Sequence, residues 1–270
     1  MPVCPKKRLV VVGNGMVGMR TVDQLLARAP SRYDITVFGA EPCPNYNRIL
    51  LSSVLAGEKA SQEIVTHTFS WYAQHSIDLI ADDPVVAIDR AAKAVVSASG
   101  VVVPFDRLLI ATGSKPLTPP LPGLDLPGVS TFRDIADVER MIAVAGNGRP
   151  AIVIGGGLLG LEAAWGLKRR GMDVVVVHLM STLMERQLDA PAALLLQRDL
   201  EKRGIVVLTN SVTEEILGRK HAEGVGLADG RELAADLIVL AIGIRPNVDL
   251  AVVTTKVVMG IWQGSLLERV

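Results

Sequence analysis

Two stretches of glycine at fixed spacing stand out among the residues able to do chemistry. They are Gly13-Asn14-Gly15-Met16-Val17-Gly18 and Gly155-Gly156-Gly157-Leu158-Leu159-Gly160. Both fit the pattern GxGxxG. The first glycine permits a sharp strand-to-helix turn, the second lets a pyrophosphate approach the backbone, and the third lets helix and strand pack closely. The free N–H groups of the helix N-terminus then face the phosphate charge. One match alone is weak, since glycines end strands in many structural turns. Two matches, each after an expected strand and at the opening of an expected helix, point to two bound dinucleotides.

An acidic residue at the end of the following strand often bonds the ribose hydroxyls. After the first turn that place falls to Glu41, behind DITVFGA, which suits an adenosine ribose; the plainer alternative is a loop carboxylate. After the second turn it falls to His178. A neutral imidazole can bond a hydroxyl, an imidazolium can face a 2′-phosphate, and a strand-end histidine can also be purely structural. NADH and NADPH are therefore not separated. His67, His75 and His221 are scattered without ligand spacing and read as surface or structural residues, so no metal site is expected. The cysteines, Cys4 and Cys43, form no CxxC pair, which excludes a disulfide framework, an all-cysteine iron–sulfur site and a vicinal redox disulfide within this chain. With no triad and no carboxylate pair, the chemistry falls to the cofactors, and the protein's part is binding and orientation.

The elements that must position these residues alternate. Arg8–Val12 reads as a strand, Val17–Ala29 as a helix closed by Pro30, and Asp34–Phe38 as a second strand. Val95–Ser99 and Val101–Phe105 form a hairpin pattern across Gly100, and Leu108–Ile110 runs into Ala111-Thr112-Gly113-Ser114. The stretch PLTPPLPGLDLP from Pro116 holds five of the 15 prolines, a density that fits neither helix nor interior strand and marks a domain connection. A second unit follows: Asp134 and Asp137 capping a helix, strand Ala151–Ile154, helix Leu158–Arg170, strand Asp173–His178, helix Ala192–Lys202, and strands Ile205–Leu208 and Leu237–Ala241. Strand and helix alternating twice predicts an α/β protein with two Rossmann-like dinucleotide-binding domains. The valine- and isoleucine-rich strands are expected to lie buried with helices on both faces.

Composition sets outer limits. Hydrophobic residues make up 49% of the 270, enough for real cores, and mean hydropathy is +0.36. No apolar run approaches a membrane span, and Gly13 ends the first run too early for a signal peptide, so a soluble cytoplasmic chain is expected, with no membrane partner. Lys+Arg and Asp+Glu both number 28, which argues against non-specific nucleic-acid binding.

The two turns, with Asp106-Arg107-Leu108-Leu109-Ile110-Ala111-Thr112-Gly113 and Ala241-Ile242-Gly243-Ile244-Arg245-Pro246-Asn247, resemble the two-dinucleotide-binding flavoprotein reductases. In those proteins an FAD domain carries an inserted NAD(P)H domain. The resemblance implies an FAD-binding domain over residues 1–117, an NAD(P)H-binding domain over 118–240, and a return to the FAD domain over 241–270. It places Ala111, Thr112 and Gly113 near the flavin and Gly243 at the return. YNRILLS at Tyr46–Ser52, VLAGEK at Val54–Lys59, VVHL at Val176–Leu179 and LMERQLD at Leu183–Asp189 narrow the likeness. With them the chain resembles the N-terminal flavoprotein part of assimilatory NAD(P)H-nitrite reductase large subunits, from about Arg8 to about Leu250. That likeness implies Arg48 beside the FAD, the backbone near Val86 beside its adenine, and Glu162 towards the nicotinamide. From the residues alone, Arg48 is a surface arginine and Glu162 a first-turn helix carboxylate favoured by the macrodipole.

Two departures qualify the likeness. Met19 stands where such proteins tend to carry histidine, a change expected to alter packing only. After Leu250 the likeness stops, and the later segment whose aspartate holds the ribityl and phosphate side of FAD is absent, as are the interface, iron–sulfur and sirohaem domains. A truncated or frame-shifted product with incomplete FAD retention is the expectation. The implied reaction is hydride transfer from nicotinamide C4 to flavin N5, with electrons released to an acceptor; in full-length relatives these pass through iron–sulfur centres and sirohaem to nitrite. Two rival readings stand beside it: a Cys43-dependent enzyme like CoA-disulfide reductase or NADH peroxidase, and a nucleotide-binding fragment without turnover.

Overall fold

The computed structural model describes residues 5–252; Cys4 and the tail from Val253 onward, including most of the segment read as foreign to the family, lie outside them. The chain divides into two compact units. The first comprises the residues up to Asn45, His67–Gly113 and the chain from Asn247, and the second comprises Tyr46–Thr66 and Ser114–Pro246.

In the first unit, strand β1 (Lys7–Val12) leads into helix α1 (Met16–Arg28), and strands β2 (Tyr33–Phe38), β3 (Ile77–Ile80) and β4 (Arg107–Ile110) follow. They form one parallel sheet in the order β3-β2-β1-β4. The alternation along β1 explains its two cores. Leu9 and Val11 pack with Met19 and Val22 of α1 on one face. Val10 and Val12 pack with Phe38 and with Val95 on the other. Each such side chain contributes ~1.5–3 kcal/mol when fully buried. Met19 is fully buried in the first of these cores.

The second unit repeats the plan with a wider sheet. Strand β5 (Val129–Thr131) precedes a helix at Ile135–Val144, which opens with the reciprocal Asp134/Asp137 capping box. Strand β6 (Pro150–Ile154), helix α2 (Leu158–Arg169), strand β7 (Asp173–Val177), helix α3 (Ala190–Lys202), and strands β8 (Ile205–Leu208) and β9 (Leu237–Leu240) complete the sheet. The five strands are parallel, in the order β8-β7-β6-β9-β5.

The structure differs from the sequence reading in two places. The buried strands do not lie between two helical layers. In each unit a three-stranded antiparallel sheet covers one face: Val85–Asp89, Ala94–Ser97 and Val102–Pro104 in the first, and Thr213–Gly218, Ala222–Leu227 and Glu232–Ala234 in the second. Ile216, Val225 and Leu227 of the latter pack on Ile152, Ile154 and Ile238. An antiparallel layer can keep its outer face wet, so short alternating strands suffice as a lid.

The second difference concerns Tyr46–Thr66, read from sequence as part of the first domain. Its short helix Leu51–Leu55 packs on α2, where Gly166 makes room: a Cβ there would lie 2.8 Å from Leu55 Cγ. Arg170 adds two bonds, donating from Nε to the Leu55 carbonyl at 2.6 Å and from Nη2 to the Val54 carbonyl at 2.9 Å. Among the described residues, no helix is long and apolar enough to cross a membrane.

Candidate functional site

Both glycine turns sit between the central strand of a parallel sheet and the helix that follows it, and they share one geometry. Gly13 has φ +116°, and a Cβ on it would lie 2.1 Å from the carbonyl oxygen of Ala111, just past β4. Gly155 has φ +122°, and its Cβ would lie 2.4 Å from the carbonyl oxygen of Ala241, just past β9. At the third positions, a Cβ on Gly18 would press on the Gly13 carbonyl at 2.5 Å, and one on Gly160 on the Gly155 carbonyl at 2.0 Å. These four glycines are required by the protein's own backbone.

The middle glycines are different. A Cβ on Gly15 or Gly157 would meet nothing within 4 Å. Each is the N-cap of its helix, and no side chain caps either end. The opening N–H groups of α1 and α2 are therefore left to an outside acceptor, and the space a side chain would fill is kept clear. Met16, Val17 and Leu158, in the first helical turns, are exposed apolar residues beside these openings, while Leu159 is half-buried. This is the arrangement a pyrophosphate requires, and it occurs twice.

The first turn opens on a cleft of about 920 Å³ lined by Val12, Gly13, Phe38, Val86, Thr112 and Asn247, among others, within the first unit. The volume falls at the upper end of the range for small-molecule sites, roughly 300–1,000 Å³. Gly13, Val86 and Thr112, predicted from different parts of the sequence, thus share one cavity wall. Glu41 follows in the loop after β2, with its carbonyl accepting the Asp82 N–H at 3.1 Å. Gly113, with φ +67°, closes the exit from the unit, and its carbonyl accepts the Asn247 N–H at 2.9 Å. Thr112 and Asn247 bond reciprocally, hydroxyl to carbonyl at 2.8 Å and amide to carbonyl at 2.9 Å.

Sequence reasoning missed what supports the first turn from below. The Tyr72 hydroxyl donates to Asn14 Oδ1 at 2.6 Å, and Asn45 Nδ2 donates to the Asn14 carbonyl at 2.9 Å. His67 continues the chain, with Nδ1 at 3.1 Å from Asn45 Oδ1 and Nε2 at 3.0 Å from Asp23 Oδ1. Burial pushes the Tyr72 hydroxyl well above its ordinary value, so it stays a donor. No local pattern announces this network, because its members come from four separate segments. Cys43 is a half-buried cysteine in the loop after β2, and its carbonyl lies 3.5 Å from the Asn14 amide.

In the second unit His178 is 7% exposed and turned inwards. Its Nδ1 accepts the Gly156 N–H at 3.0 Å, and Nε2 faces the Thr182 carbonyl at 3.1 Å and Glu185 Oε2 at 3.2 Å. Of the alternatives open at the sequence level, the geometry favours support of the glycine turn. Glu162 lies beyond the first turn of α2, which contains no acidic residue, so the expected macrodipole benefit is weak there. Arg48 belongs to the second unit and is half-buried rather than an ordinary surface arginine. Its Nη1 donates to the Arg133 carbonyl at 2.6 Å, and its guanidinium lies 4.9 Å from the Tyr46 ring centroid. Gly243 has φ +133° and stands just before Ile244–Pro246, which pairs antiparallel with Ser114–Pro116. Among the described residues, no group of three or more histidine, cysteine or acidic residues could hold a metal ion.

Residues 7–265 match the family described as pyridine nucleotide-disulphide oxidoreductase. The chain belongs to this family. The match runs past Leu250, where the sequence-level likeness was expected to stop. Members of the family use FAD and NAD(P)H. Among similar proteins, "Nitrite reductase [NAD(P)H]" of Bacillus subtilis (strain 168) is 49% identical over 91% of this chain and 30% of its own length. "Assimilatory nitrate reductase electron transfer subunit" of the same organism is 44% identical over 92% of this chain and 32% of its own length. The chain thus spans about a third of the length of these relatives. Of solved structures, the covalent putidaredoxin reductase–putidaredoxin complex aligns with a TM-score of 0.88 at 25% identity, covering 93% of this chain and 61% of that one.

Proposed function

We propose that the chain is an FAD-dependent NAD(P)H oxidoreductase module of the kind found in nitrite reductase large subunits. The observation that carries this reading is the repeated turn geometry: two helix N-termini, each uncapped and each behind a glycine that faces open space. One helix N-terminus would suit many phosphates. Two, each on its own parallel sheet in a member of this family, suit a donor dinucleotide and an acceptor dinucleotide.

In this assignment the residues of the first unit hold FAD. Gly13–Gly18 receive its pyrophosphate, Glu41 its adenosine ribose, and the backbone near Val86 its adenine, while Ala111, Thr112 and Gly113 face the flavin side. By analogy with the nitrite reductases, Arg48 is also assigned to the FAD. Gly155–Gly160 receive the pyrophosphate of NAD(P)H, with Glu162 towards its nicotinamide. When bound, FAD supplies a two-electron acceptor for hydride and a route onward for electrons. The protein's own contribution is to hold, orient and shield, since no side chain of the site is required as nucleophile. The downstream acceptor we assign is an iron–sulfur and sirohaem assembly of the type implied by the nitrite reductase likeness.

The deciding experiment is the visible spectrum of the purified full chain, before and after FAD is added and excess removed. Flavin bands that bleach under anaerobic NADH or NADPH are the expected result. A chain that retains no flavin after FAD addition overturns the proposal.

A further inference from the structure

In the second unit the side chain at the place the strand pattern indicates for a ribose-reading group is already committed. The argument rests on the second turn being a nicotinamide dinucleotide site, as proposed above. In Rossmann-type sites the carboxylate that accepts the adenosine ribose hydroxyls stands at the end of the second strand. Here that strand is β7, and the residue just past its end is His178. Its ring is buried and committed. A backbone N–H can only donate, so Nδ1 accepts from Gly156 and the ring hydrogen sits on Nε2. That N–H points at the Thr182 carbonyl and at Glu185 Oε2. No ring nitrogen is left for a ribose.

The imidazole instead bonds a carboxylate from the loop after β7, that of Glu185. The loop after β7 folds back on the turn: the Met184 N–H donates to the Gly156 carbonyl at 3.0 Å, and Leu183 is fully buried. The fit is tight, because a Cβ on Gly156 would lie 2.6 Å from Leu183 Cδ2 and 2.7 Å from His178 Cγ. Glu185 is thereby anchored at one oxygen by His178, while its side chain stays 31% exposed. An ionised carboxylate offers about four acceptor sites, so one bond to His178 leaves acceptors for two hydroxyls.

We infer that Glu185, positioned by His178, is the group that reads the adenosine ribose in the second site, and that this site selects a dinucleotide with an unphosphorylated ribose. A 2′-phosphate placed there would meet a carboxylate of like charge. Arg186, the exposed neighbour, is the one nearby residue in sequence whose charge would argue the other way.

The test is calorimetric titration of the full chain with NAD⁺ and with NADP⁺. For the unaltered protein NAD⁺ binds at least about tenfold more tightly, the discrimination a single well-placed group supplies. Glu185→Gln weakens NAD⁺ and brings the ratio of the two dissociation constants close to one, and Glu185→Arg inverts it. Circular dichroism melts check that both variants fold. His178→Phe lowers the ratio as well, and the double variant lowers it no further than Glu185→Gln alone, an equality that a merely structural histidine would not produce. The same order for 5′-AMP against 2′,5′-ADP localises the effect to the ribose. If both dinucleotides bind and Glu185→Gln leaves their ratio unmoved, the inference falls while the dinucleotide site stands. A preference for NADP⁺ in the unaltered protein also overturns it. If neither dinucleotide binds, the functional reading falls and takes this inference with it.

Discussion

The phenolic hydroxyl of Tyr72 and the side-chain oxygen of Asn14 lie 2.6 Å apart, joining helix Phe69–Gln74 to the middle of the first glycine turn. With the bonds to Cys43 and Asn45, it is one of three that hold Asn14 in place. Tyr72→Phe leaves Asn14 Oδ1 without that donor in a partly buried site, at a cost of about 1–3 kcal/mol. The expected outcome is a lower melting temperature and weaker FAD binding. An unchanged affinity for FAD would show that the network supports the fold but not the turn.

The three glycines of each turn separate by what an alanine would do. Gly13→Ala places a methyl against the Ala111 carbonyl and forces an unfavourable φ, so a loss of at least ~2–3 kcal/mol in stability is expected. Gly15→Ala meets nothing inside the protein and costs the helix start only about 0.5–1 kcal/mol. Yet its methyl enters the space assigned to the pyrophosphate, so FAD affinity should fall at least about tenfold. Paired melts and flavin titrations check both, and Gly157→Ala should do the same to dinucleotide binding in the second unit.

Acid acts on the edge of the first sheet. Arg8 donates to Asp106 from its backbone N–H at 2.8 Å and from its guanidinium at 3.1 and 3.3 Å, tying the start of β1 to the start of β4. The side-chain bonds, followed by the backbone bond, hold the Asp106 carboxyl down at about 2. A depressed folded value means the contribution is fully present above the ordinary carboxylate range near pH 4 and is lost as pH falls towards 2. Asp106→Asn should therefore lower the melting temperature at pH 7 and flatten its decline between pH 4 and pH 2. An equally steep decline in the variant would assign the acid sensitivity elsewhere.

Gly166 and Leu55 form a coupled pair. Gly166→Ala gains helix propensity, about 1 kcal/mol, but drives a methyl to within 2.8 Å of Leu55 Cγ. Overpacking of this kind costs about 1–3 kcal/mol, so the single variant should be neutral to destabilised. In a Leu55→Ala background the same change should stabilise. A double-mutant cycle by denaturant unfolding measures the difference, and simple additivity would separate the two residues.

Legibility in the sequence followed the range of the forces involved. The two turns were plain because their glycines answer to backbone within their own sheet, and strand, turn and helix are contiguous. The helix starting at Ile135 announced itself through Asp134 and Asp137, a cap made within one turn. The antiparallel covers were harder, since their short strands gain definition only from the sheet they rest on. The placement of Tyr46–Thr66 was not legible, because it depends on Gly166 and Arg170, more than a hundred residues away in the chain. The orientation of His178 was hidden for a related reason: Thr182, Leu183 and Glu185 decide it only after the loop has folded back.

The pairing of Ser114–Pro116 with Ile244–Pro246 has a topological meaning. The segment between them begins and ends at adjacent points, stitched side by side, with Thr112, Gly113 and Asn247 bonded just outside. For an unstructured insertion of that length, bringing its ends together would carry a loop-closure entropy that the host must offset. Here the segment's own strands pair at its two ends, so the loop is closed from within, like the neck of a tight hairpin. Tyr46–Thr66, the other stretch of the second unit, is held separately, through Gly166 and Arg170.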